Sequence, residues 1–210
     1  GIHLRVEAPA VVAVVGEVGS GKTTLLKMLA GLLPAGEGEV LLNGVPLEHI
    51  PEDALSARVG YVPQESVLFS ETVADNVRLG RPIGDERVAA ALETAGLPAG
   101  ELHMGARRLL GQGGTGVSGG QRQRVAIARA LAGGPSLLLL DDCTAALDAE
   151  REEALWKRLG PAASGAITFV VTHREATVKH ADRVVLLHRG RLAAAGTHER
   201  LRRESRLYRW

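Results

Sequence analysis

Residues 16–23 read Gly16-Glu17-Val18-Gly19-Ser20-Gly21-Lys22-Thr23, the pattern G-x-x-x-x-G-K-[ST], and their reading decides the fold. An apolar run at 11–15 leads into them. Leu25, Leu26, Met28, Leu29 and Leu32 follow on one broad face of a helical pattern. Strand, glycine-rich loop and helix in that order turn a motif match into a phosphate site. Glycine lets backbone N–H groups approach an anion, and a helix start adds partial positive charge. Lys22 has the reach for the β- and γ-phosphates of a nucleoside triphosphate, and the Thr23 hydroxyl suits Mg²⁺. Gly16 to Thr23, together with Thr24, are the expected nucleotide-binding residues.

A second cluster narrows the chemistry. Val117-Ser118-Gly119-Gly120-Gln121 runs into a helical pattern in which Val125, Ala128 and Leu131 share a face, with Arg122, Arg124 and Arg129 elsewhere. Ser118 is a natural N-cap, and the glycines after it leave the helix amides open to an anion. Leu137-Leu138-Leu139-Leu140-Asp141 then reads as a strand buried on both faces that ends in a carboxylate. Such an aspartate holds Mg²⁺ beside a bound triphosphate.

With these residues the chain resembles the ATP-binding cassette (ABC) ATPases over nearly all its length. Residues 16–23 resemble the family's Walker A loop, and 137–141 its Walker B strand. Tyr61-Val62-Pro63-Gln64 resembles the Q-loop, Val117 to Gln121 the signature, Ala146-Leu147-Asp148 the D-loop, and Thr172-His173-Arg174 the switch-histidine loop. The signature discriminates, because a Walker A loop alone serves many unrelated NTPases. The resemblance implies a P-loop NTPase α/β fold: a mainly parallel core sheet, an antiparallel β arm and an inserted α-helical subdomain. It implies ATP and Mg²⁺ as ligands, with Thr23, Gln64 and Asp141 around the metal and Asp142, His173 and Gln64 in catalytic roles. Val117, Ser118, Gly119, Gly120, Gln121 and Asp148 would serve the ATP of a second cassette.

Bland readings stand beside these. Gln64 could be an ordinary polar loop residue, and a lone histidine after the apolar run 167–171 is often a hydrogen-bonded core residue. Cys143 is the only cysteine, so no internal disulfide forms, and we read it as a small buried residue. The histidines lack zinc-ligand spacing, so no zinc is expected. A net charge of +1 lacks the footprint of a dedicated nucleic-acid binder. No stretch approaches the roughly 20 apolar residues of a membrane span.

Apolar runs at 11–15, 58–62, 137–141, 167–171 and 184–187 are the expected central strands. Asn43-Gly44 marks a hairpin turn. Asp148 and Thr197 are expected helix caps, Glu153–Lys157 an i,i+4 pair, and Tyr208 and Trp210 are expected to pack near the C-terminus. The whole chain, 1–210, reads as one nucleotide-binding domain. By resemblance its RecA-like core covers about 1–70 and 133–210, and the mostly helical stretch at about 71–132 is the inserted subdomain. Fifteen residues precede Gly16 and none is aromatic, whereas the family carries about two strands and an adenine-stacking aromatic there. The expectation is a domain from a longer protein, with N-terminal strands truncated.

Residues 66–77, the run from Leu110 to Gly114, and Gly196-Thr197-His198-Glu199 resemble segments of the ABC exporters. That branch implies a membrane domain in the same full-length, multi-pass chain, coupling helices against Phe69, and a place on the cytoplasmic face of the membrane. Asp142 departs from the family, which has glutamate after the Walker B aspartate. One methylene less withdraws the carboxylate by roughly 1–1.5 Å, and a misplacement of that size costs on the order of 100-fold in rate. The run from Asp141 to Asp148 resembles the degenerate half of heterodimeric exporters; a slower base in a symmetric homodimer is the alternative. A soluble ABC ATPase of DNA repair or translation, a non-hydrolysing sensor and an importer ATPase are the rivals.

Overall fold

The computed structural model describes residues 1–98, 100–101, 104–145 and 147–208. The first half of the chain forms Ala10–Val15 (β1), Lys22–Leu29 (α1), Leu41–Leu42 (β2), Val45–Pro46 (β3), Glu52–Arg58 (α2) and Val59–Val62 (β4). Val73–Arg78 (α3), Asp85–Thr94 (α4) and Gly119–Ala132 (α5) come next. The chain closes with Leu137–Asp141 (β5), Ala149–Ala162 (α6), Ile167–Val171 (β6), Glu175–Val178 (α7), Arg183–His188 (β7), Arg191–Gly196 (β8) and His198–Glu204 (α8).

Six strands make one sheet in the order β4-β5-β6-β1-β7-β8. Every pairing is parallel except β7 with β8. β5 is buried along its whole length, as an apolar run between two helical layers requires. One core packs α3–α6 and α8 on one face of the sheet, and a second packs α1 on the other. The Asn43-Gly44 turn joins β2 to β3 antiparallel, with both residues at positive φ as a tight hairpin demands. At Gly60 in β4, a Cβ would lie 2.7 Å from the Ala130 carbonyl oxygen, so the missing side chain lets α5 lie directly on the sheet.

The predicted caps form. Ser118, Asp148 and Thr197 each accept a hydrogen bond from a backbone amide three residues on. Tyr208 is buried, with its hydroxyl 2.8 Å from His198 Nδ1; Trp210 lies outside the described residues.

Other expectations need correction. The helix after the phosphate loop stops at Leu29, because Gly31 takes φ +72° and turns the chain; Leu32 is left 59% exposed. Arg124, off the apolar face of its helix, is not left in solvent. It is buried, paired with Glu101 and donating to the Gly96 carbonyl, because α5 is enclosed around most of its circumference. Among the described residues between 95 and 118 there are 3₁₀ turns and no α-helix, so the helical stretch is interrupted. Among the described residues no helix is long and apolar enough to cross a membrane.

Candidate nucleotide site

β5, β6 and β1 are neighbours in the sheet and run in the same direction, so Asp141, the Thr172–His173 turn and the phosphate loop emerge at one edge. Ligand crevices in open α/β sheets lie at such carboxyl ends. Gly16 has φ +147°, and a Cβ there would lie 2.2 Å from the Leu187 carbonyl oxygen, so only glycine lets β1 turn into the loop this close to β7. Gly21 caps α1 in the left-handed region without a side-chain hydrogen bond, which leaves the first-turn amides for an anion. The Ser20 hydroxyl is buried in the loop and has no partner. Lys22 is buried, and its ammonium donates to the Gly16 and Glu17 carbonyls at 2.8 and 2.9 Å. Burial lowers its pKa, against the opposing pull of Asp142 and Asp141. Val18 and Thr24 point outward. A cleft of about 360 Å³ is lined by Gly16, Glu17, Val18, His173, His188 and Leu207.

Asp141 is the test of whether a divalent cation fits. It is 1% exposed; Oδ1 accepts from Thr23 Oγ1 at 3.2 Å, and among the described residues the buried Oδ2 has no partner at full hydrogen-bond geometry, with the Tyr61 phenol the nearby donor. Two oxygen donors side by side with an uncommitted lone pair suit Mg²⁺. Burial pushes the Asp141 carboxyl above its usual range, outweighing Thr23, Lys27 and Lys22. Burial and Asp141 likewise raise the neighbouring Tyr61 phenol. A carboxyl raised by the fold contributes its stability below its unfolded pKa and loses it as pH rises through the folded one. As pH rises past the ordinary carboxylate range, the burial of Asp141 therefore works against folding in the absence of a cation. Asp141→Asn is expected to raise the melting temperature of the nucleotide-free chain by about 2–4 °C, the equivalent of roughly 1 kcal/mol at this size. The same variant should lose the upward shift that MgATP gives the unaltered chain. Scanning fluorimetry with and without MgATP checks both, and a lower melting point without nucleotide would contradict the charge argument.

Asp142 follows in the left-handed region, φ 49°, its amide donating to the Val171 carbonyl at 3.1 Å. Burial raises its carboxyl; His173 holds it down, Asp141 pushes it up, and Lys22 and Arg174 pull it down. Asp142 thus lies within electrostatic range of His173, Asp141, Lys22 and Arg174. Gln64 is exposed just beyond β4, the strand beside β5. Cys143 is buried, its thiol pushed up to about 12 by burial first and then by Asp142, so it is inert as a nucleophile.

The signature residues form a separate group. Ser118 and Gly119 are exposed at the start of α5. A full capping box joins the Ser118 and Gln121 side chains to each other's backbone amides. Among the described residues, no hydrogen bond or ion pair joins 117–121 to the phosphate loop. Asp148 is exposed at the start of α6, and Ala146 of the expected D-loop lies outside the described residues.

Sequence reasoning missed a clamp beneath Phe69. Asn76 is fully buried and bonds the Phe69 amide and carbonyl at 2.8 and 3.0 Å. Arg129 of α5 lies over the Phe69 ring at 5.9 Å and donates to the Asn76 and Val67 carbonyls. One signal was available: Asn76 is one of only two asparagines in the chain. Thr72 bridges to Leu109 and Gly114 packs against Leu68, so the two exporter-like stretches at 66–77 and 110–114 meet. Val67, Phe69 and Leu109 are left exposed there.

Comparison with known proteins agrees with this arrangement. Residues 1–145 match the family model described as ABC transporter. The chain is 40% identical to the probable multidrug resistance ABC transporter ATP-binding/permease protein YheI of Bacillus subtilis, aligning over 99% of this chain and 36% of that protein. It is also 40% identical to the ATP-dependent lipid A-core flippase of Chromobacterium violaceum, with the same coverage. A solved structure of a bacterial Atm1-family ABC exporter with ATP bound superposes with a TM-score of 0.89 at 36% identity, covering 95% of this chain and 36% of the other. The chain thus spans about a third of the length of the curated relatives it matches. A family model matching more than half of the residues and relatives at 40% identity over nearly the whole chain agree, and the chain belongs to the ABC transporter family.

Proposed function

We propose that this chain is the ATP-driven motor domain of an exporter, at the cytoplasmic face of a membrane and coupled to a membrane domain in the same full-length protein. The observation that carries the reading is the gathering of Lys22, Thr23, Asp141, Asp142 and His173 at one sheet edge, with an intact signature held apart from them. A site split in this way suits two cassettes that share two ATPs head to tail. Gly16 to Thr24 would cradle the phosphates of this chain's ATP, while Val117 to Gln121 and Asp148 would complete the partner's site. Thr23, Asp141 and Gln64 would hold Mg²⁺, which neutralises charge on the β- and γ-phosphates when bound. Asp142 would orient or deprotonate the attacking water, and His173 would contact the γ-phosphate.

In this reading the core occupies about 1–70 and 133–210, and the segment at about 71–132 carries the signature and meets the coupling helices through Val67, Phe69 and Leu109. The names of the relatives, multidrug and lipid A-core transporters, support export as the direction and leave the cargo open. The short carboxylate at Asp142 favours the weakly hydrolytic half of a heterodimer. Its raised pKa favours the second reading, a working base in a homodimer, because a base titrating nearer neutrality transfers protons better.

The isolated chain is expected to be monomeric and to release almost no phosphate from MgATP. Mixing it with a cassette that carries glutamate after its Walker B aspartate should give MgATP-dependent dimers and turnover. Sedimentation velocity beside phosphate release is the measurement, and rapid turnover by this chain alone would sink the degenerate-site reading.

A further inference from the structure

His173 stands on an exposed turn between β6 and the four-residue α7, and among the described residues its imidazole makes no hydrogen bond. Something else must fix it. The neighbouring Arg174 is held twice: its amide donates to Thr172 Oγ1 at 3.0 Å, and its guanidinium donates to Glu152 Oε2 at 2.5 Å. The other Glu152 oxygen accepts from the Thr177 hydroxyl, so one carboxylate grips the end of the turn and the short helix that follows it. Glu152 is 1% exposed and Thr177 fully buried.

Glu152 belongs to α6, one turn beyond the Asp148 cap. A carboxylate this deep is costly to desolvate, and apolar residues of the same volume often serve stability as well or better. What they cannot do is point two acceptors at two chosen donors. The pair is therefore better suited to holding geometry than to holding the fold together. Arg174 also contributes positive charge at Asp142, so the same contact reaches the candidate base.

We infer that Glu152 is a positioning residue that locks the Asp148 end of α6 to the His173 turn through Arg174 and Thr177. This rests on the motor-domain reading above. In that assembly Asp148 faces the partner's ATP and His173 this chain's own, so the lock ties the two sites together. Whichever site carries the flux, loosening it slows turnover. Nucleotide affinity stays, because Lys22 and Thr23 sit on α1 and Asp141 on β5, outside the lock.

The test uses the complete transporter, with steady-state ATPase for kcat and KM and a fluorescent ATP analogue for the number of intact sites. Glu152→Gln is expected to lower kcat about tenfold, as a sub-ångström to 1 Å displacement of reacting groups does, with KM and analogue stoichiometry within about twofold. Thr177→Val, nearly isosteric, removes one of the two grips and should give a smaller fall in kcat with the same unchanged KM. Glu152→Gln combined with Arg174→Gln should be no slower than the slower single variant, since both break one contact. Arg174→Lys should recover part of what Arg174→Gln loses. If kcat stays within about twofold in both Glu152→Gln and Thr177→Val, the lock does not exist. If kcat and analogue stoichiometry fall together by one factor in both, Glu152 only supports folding and the inference is overturned. An unaltered transporter that fails to bind the analogue would instead refute the motor-domain reading.

Discussion

Lys22→Ala is expected to weaken MgATP binding by about 100-fold or more. Hydrogen bonds from a charged donor contribute roughly 1.5–3 kcal/mol each, and every 1.4 kcal/mol is a factor of ten in affinity. The ammonium has three protons and in this structure places two of them on the Gly16 and Glu17 carbonyls. Alanine thus removes both the cation aimed at the β- and γ-phosphates and the staple that shapes the loop. The buried Ser20 hydroxyl and the uncapped start of α1 would remain, which keeps the loss finite. Titration of the full-length protein with a fluorescent ATP analogue measures the effect. Unchanged affinity would remove the phosphate-cradle assignment altogether.

The second large effect separates two architectures. Ser118→Arg should nearly abolish turnover of the complete assembly, because in the proposed head-to-tail pair it puts a bulky cation where a hydroxyl and a helix start would face the partner's γ-phosphate. Loss of one donor of this kind costs on the order of 10²–10³ in rate. It also removes the cap that Ser118 gives the Gln121 amide. In the heterodimer reading, Asp142→Ala changes turnover only modestly, since little flux passes through that site. In a homodimer both substitutions are severe, because each chain supplies both halves of every site. Steady-state ATPase of the two variants decides. Equal damage would make Asp142 a working catalytic base and end the heterodimer proposal.

Much of this was legible in the sequence, and the reason is local. The strands at 11–15, 137–141 and 167–171, the caps at Ser118, Asp148 and Thr197, and the Asn43-Gly44 turn are set by residues within a few positions of each other. The candidate site was legible because its groups sit at strand ends next to glycine, lysine and aspartate in fixed patterns. What escaped depends on distant partners. The burial of Arg124 was not legible because helical periodicity reports one helix and not the Glu101 that approaches it from another segment. Asn76 and Arg129 are 53 positions apart, and neither signals the other. Glu152 reads as one more surface carboxylate on a helix until Arg174 and Thr177 are seen to close over it. Leu32 was misassigned because an apolar residue continues a helical pattern even after Gly31 has ended the helix.

The side-by-side order of β5, β6 and β1 has a consequence for how this protein can change. Adjacent strands sit about 4.8 Å apart, a spacing dictated by peptide hydrogen bonds and indifferent to which side chains the strands carry. Asp141, the His173 turn and the phosphate loop therefore stand like three teeth of a comb whose pitch is cut in backbone. Exchanges of Leu139, Val170 or Val14 for other apolar residues can weaken the fold while leaving the comb's pitch intact. The signature has no such frame. Its helix, α5, is placed by side chains, through Arg124 on Glu101 and Arg129 on Asn76. Drift in the sequence should thus blunt the partner-facing half of the machine long before it disturbs the half that grips phosphate.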